Sequence, residues 1–569
     1  MTTDLSSTPP SSPEPHPEPP IDPPPDRTVV TIGVLAVLAV VLWAALDKGS
    51  FSGATNSALN WVLANFSWLF MIAANVFLVL CVVLALGRYG RIRLGKDDDE
   101  PEFTGMAWIA MMFSAGMGIG LMFYGVGEPL QHYVEAPPFG GPQDGSAGAE
   151  RVALEYSFFH WTLHPWAIYG ISGLALAYVT FRKGRGNRLS AVFVPLFGRR
   201  RADGWQGRVV DLLAVFATVF GTATSLGLGA LQIAGGLNET VGLSASTRLE
   251  LLIIVVLGAA FVFSAMSGLH RGVKWLSSIN LVLAACLMVF IFVVGPTVYI
   301  LNSIPATLGP YLQELLITST RTGAFGQQRW LGAWTIFYWA WWLSWAPFVG
   351  TFLARISHGR TVREFLLAVL LVPSGASAVW FCVMGGTAIR LDRNGAADMA
   401  AHADDAEKSL FTMLDALPLS WVTSVVAILL VTMYFITSAD SASLVMGSLT
   451  SRGALHPRTW LVVTWGVLMS AVAAVLLLAG GLDSLKSGTI LVALPFVLVM
   501  LGLCWAFLRE LRQDPGAGVT RPQSVHGLRD AVRRMVGDVM LQQDQETGDR
   551  AHHRRLRRAA ESRKTDGDR

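Results

Sequence analysis

The chain has 569 residues, of which 52% are hydrophobic and only 15% charged, with a mean hydropathy of +0.48 and a net charge of +3. A water-soluble fold of this length would need far more polar surface, so a soluble enzyme or a nucleic-acid-binding protein is excluded as a starting point. About 20 consecutive apolar residues span a hydrocarbon core of roughly 30 Å, and the composition points to many such segments.

The first 27 residues hold ten prolines and five acids with Arg27 as the only base, a composition that cannot bury a core. Residues 1–27 are therefore expected to form a disordered cytoplasmic tail without the features of a signal peptide. Twelve apolar segments follow within a 28–508 membrane domain, at about 28–46, 66–86, 106–133, 151–181, 209–236, 249–269, 276–302, 331–354, 364–389, 418–448, 459–480 and 487–508. With the N-terminus inside, the inner loops carry nineteen basic residues and the outer loops nine. That bias predicts a multi-pass cell-membrane protein with both termini cytoplasmic.

Three groups of residues stand out within the spans. The first is the run Ser114-Ala115-Gly116-Met117-Gly118-Ile119-Gly120 in the third segment. Alternate glycines weaken a helix by roughly 1 kcal/mol each, so the run reads either as a close helix contact or as a break exposing backbone groups at mid-membrane. The second is aromatic: Trp161, Trp166 and Tyr169 in the fourth segment, and five tryptophans from Trp334 to Trp345 in the eighth. Interfacial belts account for many membrane tryptophans, but at about 1.5 Å per residue these five cannot share one depth, so some must face the interior. Pro165 lacks the N–H that would bond the Trp161 carbonyl, which predicts a bend there. An interior aromatic cluster suits a trimethylammonium group, which has no N–H to donate and is held by ring faces at about 0.5–2 kcal/mol each. The third group is hydroxylic: Thr218 and Thr222, four apart on one helix face, and Thr437-Ser438. These bond back to the preceding turn or supply oxygens for a hard cation such as sodium.

The remaining polar residues read more plainly. Glu128, Glu155 and Asp440 lie near span ends and are expected to cap helices or reach water, and His160 and His164 have no third ligand at metal spacing. Cys81, Cys286, Cys382 and Cys504 read as buried small hydrophobes. Residues 509–569 form a basic cytoplasmic tail in which Val525, Leu528, Val532, Met535, Val536 and Val539 recur at helical spacing. That stretch reads as a solvated basic tail or as an amphipathic helix meeting anionic lipid headgroups.

The stretches Met106 to Tyr133, Phe158 to Tyr169, Thr218 to Gln232, Trp334 to Glu364 and Tyr434 to Ser441 together resemble the betaine/carnitine/choline transporter family. The tryptophan-dense eighth segment followed by Gly350-Thr351-Phe352-Leu353-Ala354-Arg355-Ile356-Ser357 is the most specific part of the likeness. The resemblance implies an all-α membrane protein of about twelve transmembrane helices, with a LeuT-like core of two inverted five-helix repeats, about 106–302 and 331–508. It implies an aromatic box of Trp161, Trp166, Tyr169 and Trp342, with Trp345 and Phe348 lining the inner path. Backbone N–H groups near Gly116, Gly118 and Gly120 would meet a substrate carboxylate. One sodium site would use the carbonyls of Ser114 and Met117 with oxygens of Tyr434, Thr437 and Ser438; the other would use Thr218 and Thr222 near Phe348.

Choline carriers of the family tend to carry an acid at position 120, where this chain has glycine, so a zwitterion such as glycine betaine is the expected substrate. The implied activity is sodium-coupled symport of that compatible solute under osmotic stress, with sodium as coupling ion and no other cofactor. The implied assembly is a homotrimer, with the amphipathic stretch Pro310 to Ile317 at the interface. Choline or ectoine uptake coupled to protons or sodium, sodium-independent carnitine/betaine exchange, and a non-transporting osmosensor are the alternatives; no enzymatic motif is present.

Overall fold

The computed structural model describes residues 23–517 apart from 117, 140 and 267–269, without the side chains of 113–116, 270–275, 277 and 517. The proline-rich start of the N-terminal tail and the helical pattern around Val525 to Val539 lie outside the described residues. Those that are described form helices and connecting turns, with one isolated bridge between Arg93 and Thr361. The compact unit ends at Asp514.

The longer helices, in chain order, are α1 (Arg27–Leu46), α2 (Lys48–Leu86), α3 (Gly105–Gly116), α4 (Ile119–Val134), α5 (Ala147–Trp161), α6 (Leu163–Ala177) and α7 (Trp205–Val241). They continue as α8 (Thr247–Met266), α9 (His270–Val294), α10 (Thr297–Ser319), α11 (Phe337–Ile356), α12 (Val362–Arg393), α13 (Ser420–Thr450) and α14 (Thr459–Arg512). Over the described residues, each expected apolar segment falls mainly on helix. Seven of the described helices are long and apolar enough to cross a membrane, or eight if the bent pair formed by α9 and α10 is one span.

Three boundaries differ from the sequence expectation, each for a local reason. The seventh segment does not run to residue 302: it ends at Val294, and α10 leaves at 108° after Gly295 and Pro296. Proline disfavours the helical state in the residue before it and cannot donate, so the chain turns there. The last two segments share α14, whose 54 residues would reach about 80 Å if straight, far more than one crossing. Gly480 and Gly481 have non-helical backbone angles, and Gly481 has φ +61°, so the helix is two arms joined at a glycine hinge. The fourth segment breaks at Thr162 (φ −113°, ψ −111°) rather than at Pro165. With the break there, Pro165 occupies the first turn of α6, where its missing N–H would have had no intrahelical partner.

Some helix starts carry side-chain caps. Asp26 accepts from the Thr28 and Val29 amides at the head of α1, and Thr361 and Glu364 form a reciprocal capping box at the head of α12. Small residues bring α6 and α11 together. Ser172 Oγ donates to the Ala346 carbonyl at 3.0 Å, and a Cβ on Gly173 would lie 3.1 Å from Leu353 Cβ. The outer surface stays apolar, with Leu35, Leu42, Val79, Val83, Val255, Phe263, Leu498 and Trp505 all exposed. This is the surface a bilayer would solvate. Cys286 is exposed on α9 and is not the buried hydrophobe expected, while the other three cysteines are buried.

The basic loops and the described chain ends are tied together by ion pairs. Arg208 Nε and Arg452 Nη2 reach Asp26 Oδ2 at 3.0 and 3.3 Å. Burial alone would raise the Asp26 carboxyl, but the hydrogen bond and charge of Arg208 outweigh it and hold it below its ordinary value. Arg182, just past α6, donates to both oxygens of Asp514 at 2.7 and 2.8 Å and to Asp97 at 2.9 Å. Tyr178 Oη donates to Asp514 at 2.5 Å, and Arg185 grips Glu510 at 2.7 and 3.0 Å. The hydrogen bond to Asp514 is the main reason the Arg182 guanidinium holds its proton more tightly than usual.

Candidate functional site

A cavity of about 470 Å³ opens among α3, α4, α6, α9, α11 and α13. Its size is within the usual range for a small-molecule site. The glycine run builds one wall. Helix α3 ends at Gly116, Gly118 is extended (φ −163°, ψ −170°), and α4 starts at Ile119. The run is thus a helix break, the second of its two expected readings, and Gly118 and Gly120 line the cavity. Gly116 is the last residue of α3, Ser114 lies within its last turn, and Met117 is outside the described residues. The α4 N-terminus beside the cavity presents amide hydrogens without intrahelical partners, a setting that favours negative charge.

The aromatic wall assembles as expected: Trp161, Trp166, Tyr169, Trp342, Trp345 and Phe348 all line the cavity. The Trp161 and Trp342 rings meet edge-to-face at 4.8 Å, Tyr169 and Trp342 at 6.0 Å, and Trp166 and Tyr169 at 5.6 Å. Ring quadrupoles favour such perpendicular contacts. Trp341 also lines the cavity, stacked on Trp342 at 5.2 Å and held by its Nε1 near Ser225 Oγ at 3.3 Å. It was hidden in the sequence among five neighbouring tryptophans.

Gly120 has a packing reason that the sequence did not reveal. A Cβ there would lie 2.6 Å from Trp341 and 2.9 Å from Trp161, both ring atoms of the wall. Gly120→Ala should therefore displace the two indoles and raise the apparent KM for substrate about tenfold, with protein yield near wild type. Concentration-dependent uptake checks this, and an unchanged KM would mean the rings yield without consequence.

The hydroxyl groups divide. Tyr434, Thr437 and Ser438 line the cavity, and the buried Tyr434 hydroxyl has no hydrogen-bond partner within the described chain. Thr437 Oγ1 bonds back to the Met433 carbonyl at 2.9 Å. Thr218 and Thr222 are buried on α7 but do not line the cavity, and Thr218 Oγ1 donates to the Ala214 carbonyl at 2.9 Å. Between them Gly221 abuts α11, where a Cβ would lie 2.8 Å from Ser344 Cβ and 2.9 Å from Trp345 Cδ1. Trp345 in turn packs on Phe348 at 5.3 Å. Asn280 of α9, unmarked in the sequence, lines the cavity with both amide atoms buried and unpaired among the described residues.

The acids and histidines correct the sequence reading most. Glu128 neither caps a helix nor reaches water: it is fully buried. Its Oε1 is 2.6 Å from His160 Nδ1, and its Oε2 accepts from Trp161 Nε1 at 2.7 Å and Tyr338 Oη at 2.6 Å. His132 Nε2 is 3.6 Å from Oε1, so His160 does have two potential ligands beside it in space, with all three donor atoms within 4.8 Å. The one-turn spacing of Glu128 and His132 was the signal available in the sequence. The 2.6 Å His160 contact is a hydrogen bond in length. Glu155 pairs with Arg151 at 2.6 Å, in keeping with its place near a span end.

A sequence profile described as "BCCT, betaine/carnitine/choline family transporter" matches residues 28–516. The chain is 44% identical over 489 residues to the "Glycine betaine transporter OpuD" of Bacillus subtilis (strain 168), covering 86% of this chain and 94% of that one. It is 42% identical over 493 residues to a "Probable glycine betaine transporter" of Desulfitobacterium hafniense (strain Y51), covering 86% and 98%. It is 40% identical over 499 residues to the "Betaine/ectoine transporter LcoP" of Corynebacterium glutamicum, covering 86% and 79%. The aromatic cavity at a broken membrane helix and the match along almost the whole described chain agree: this protein belongs to the betaine/carnitine/choline transporter family.

Proposed function

We propose that the protein is a sodium-coupled symporter that imports glycine betaine as a compatible solute during osmotic stress. The observation that carries this reading is the meeting of two features in one cavity: the rings of Trp161, Trp166, Tyr169 and Trp342, and the helix break at Gly118. The rings suit the trimethylammonium end, while the free amides of α4 and the buried amide of Asn280 suit the carboxylate. Glycine betaine is named for two of the similar proteins, and ectoine is named beside betaine for a third, which makes ectoine the second substrate to try.

Sodium would bind at two places in this reading. One is between the Ser114 and Met117 carbonyls and Tyr434, Thr437 and Ser438, where the unpaired Tyr434 hydroxyl is an available oxygen. The other is at Thr218 and Thr222 beside α11. Combining Thr222→Ala with Ser438→Ala should lower the apparent sodium affinity about tenfold or more, measured as the sodium dependence of uptake at saturating betaine. Wild-type sodium dependence in that double variant would misplace both sites.

The basic loops gathered with Asp26 and Asp514 support cytoplasmic termini. A homotrimer through the α10 region and a lipid-binding C-terminal tail complete the proposal. The deciding experiment is uptake of radiolabelled glycine betaine into proteoliposomes, with and without an inward sodium gradient, at two external osmolalities. Sodium-driven accumulation that rises with osmolality is expected. Betaine binding without accumulation would favour exchange or sensing, and absence of binding would turn attention to ectoine and choline.

A further inference from the structure

Glu128 does not line the cavity, but its carboxylate is hydrogen-bonded to Trp161, which does. Its two oxygens have different company. Oε1 is met by imidazoles, with His160 at 2.6 Å and His132 at 3.6 Å. Oε2 receives two uncharged donors, the Trp161 indole N–H at 2.7 Å and the Tyr338 phenol O–H at 2.6 Å. The Trp161 ring thus links Oε2, through its N–H, to the cavity that it lines. The same network reaches Trp342, whose Nε1 donates to the His160 carbonyl at 3.0 Å, and His160 Nε2 is 3.0 Å from Thr335 Oγ1. Tyr338 in turn packs edge-on against Trp161 at 5.4 Å and stacks parallel to Trp342 at 6.2 Å.

Two physical effects follow. The carboxylate fixes the orientation of Trp161 and, through His160, that of Trp342. It also enriches the ring electrons: an anion accepting from the indole N–H polarises that ring and makes its faces more negative. A unit charge buried in low dielectric acts on a second charge across a ring width far more strongly than it would in water. Both effects favour a cation over a neutral group of the same shape, and they act against the charge of Lys486, whose Nζ lies 5.1 Å from the Trp334 ring centre and 6.0 Å from that of Tyr124 in the same aromatic cluster.

We infer that Glu128 is a positioning and selectivity residue of the substrate site, which holds the aromatic box and supplies the negative charge by which that box prefers a quaternary ammonium to its uncharged carbon isostere. The inference rests on the aromatic box being the substrate site. Glycine betaine and 3,3-dimethylbutanoate provide the comparison, since they share the carboxylate and the trimethyl shape but differ in the charge at the central atom.

The test is equilibrium binding of both compounds to the purified full chain by tryptophan fluorescence, for wild type, Glu128→Gln and Glu128→Asp, with Trp342→Leu as the control on the site. Glu128→Gln keeps size and an acceptor but removes the charge. It is expected to reduce the preference for betaine about tenfold while changing the affinity for the isostere by less than about threefold, the size of effect a charge at this range can exert. Glu128→Asp keeps the charge and should retain the wild-type preference even if both affinities shift. A purely structural role would weaken both ligands alike, so an unchanged preference in Glu128→Gln overturns the proposal. If Glu128→Gln does not fold, the smaller neutral variant Glu128→Asn is read by the same criterion: a reduced preference supports the proposal and an unchanged one overturns it. Unchanged betaine affinity in Trp342→Leu would sink the box reading, and this inference with it. Loss of betaine binding in Trp342→Leu with wild-type preference in Glu128→Gln would sink this inference alone.

Discussion

Replacing Trp342 with leucine should raise the apparent KM for glycine betaine at least tenfold and leave the protein folded. Trp342 touches the other box rings, at 4.8 Å from Trp161 and 6.0 Å from Tyr169, and stacks on Trp341 at 5.2 Å. One cation–π contact is worth about 0.5–2 kcal/mol, and each 1.4 kcal/mol is about a factor of ten. The leucine also leaves the His160 carbonyl without the Nε1 donor it has at 3.0 Å, which loosens the segment carrying Trp161. These losses add in the same direction, so the effect should exceed that of removing a ring alone. Uptake and direct binding should both report it. An unchanged KM would mean the substrate does not use these rings.

The largest effect on stability is expected at the other end of α6. Asp514→Ala removes a fully buried carboxylate that receives Tyr178 Oη and a two-pronged Arg182. Breaking a buried ion pair from one side costs about 3–5 kcal/mol because the partner charge is left behind. Arg182 keeps Asp97 and the Gly95 carbonyl, at 2.9 and 3.0 Å, so the lower end of that range applies. Asp514→Asn should fall between wild type and alanine, since it retains an acceptor without the charge. Thermal unfolding in detergent measures this directly; equal Tm values for wild type and Asp514→Ala would show that the pair contributes nothing net. Asp514 does not line the cavity but clamps the far end of the helix that carries Trp166 and Tyr169, so a change in betaine affinity in the surviving folded protein would report coupling along α6.

Much of this was legible in the sequence because membrane helices announce themselves by hydropathy and because five tryptophans in one span cannot all sit at an interface. The positions of Trp161, Trp166, Tyr169, Trp342, Trp345 and Phe348 around one cavity follow from that density together with the family resemblance. The direction in which a lone acid points was not legible. Glu128 has the same sequence context as a helix-end carboxylate, and only the packing of α4 against α5 and α11 turns it inward. The bend of the fourth segment was placed at Pro165 because proline is the visible breaker, whereas the backbone departs from helix at Thr162, whose sequence carries no such mark. The corner after Val294 had its signal in Gly295-Pro296, but continuous hydrophobicity across it concealed the turn.

The joint at Thr162 divides the aromatic wall between two rigid arms: Trp161 ends one, and Trp166 and Tyr169 ride on the other. Gly118 is a second joint, with the wall of α4 on its far side. A ligand lodged among these rings is then a rivet across articulated pieces rather than a plug in a fixed hole. Its grip would be felt along the arms, because holding the rings together restrains the rotation of α5 against α6. The Asp514 clamp beyond the far end of α6 makes that arm a lever with a pinned foot. Any motion that opens the box must therefore turn about Thr162, flex α6 itself or pull on the Asp514 clamp.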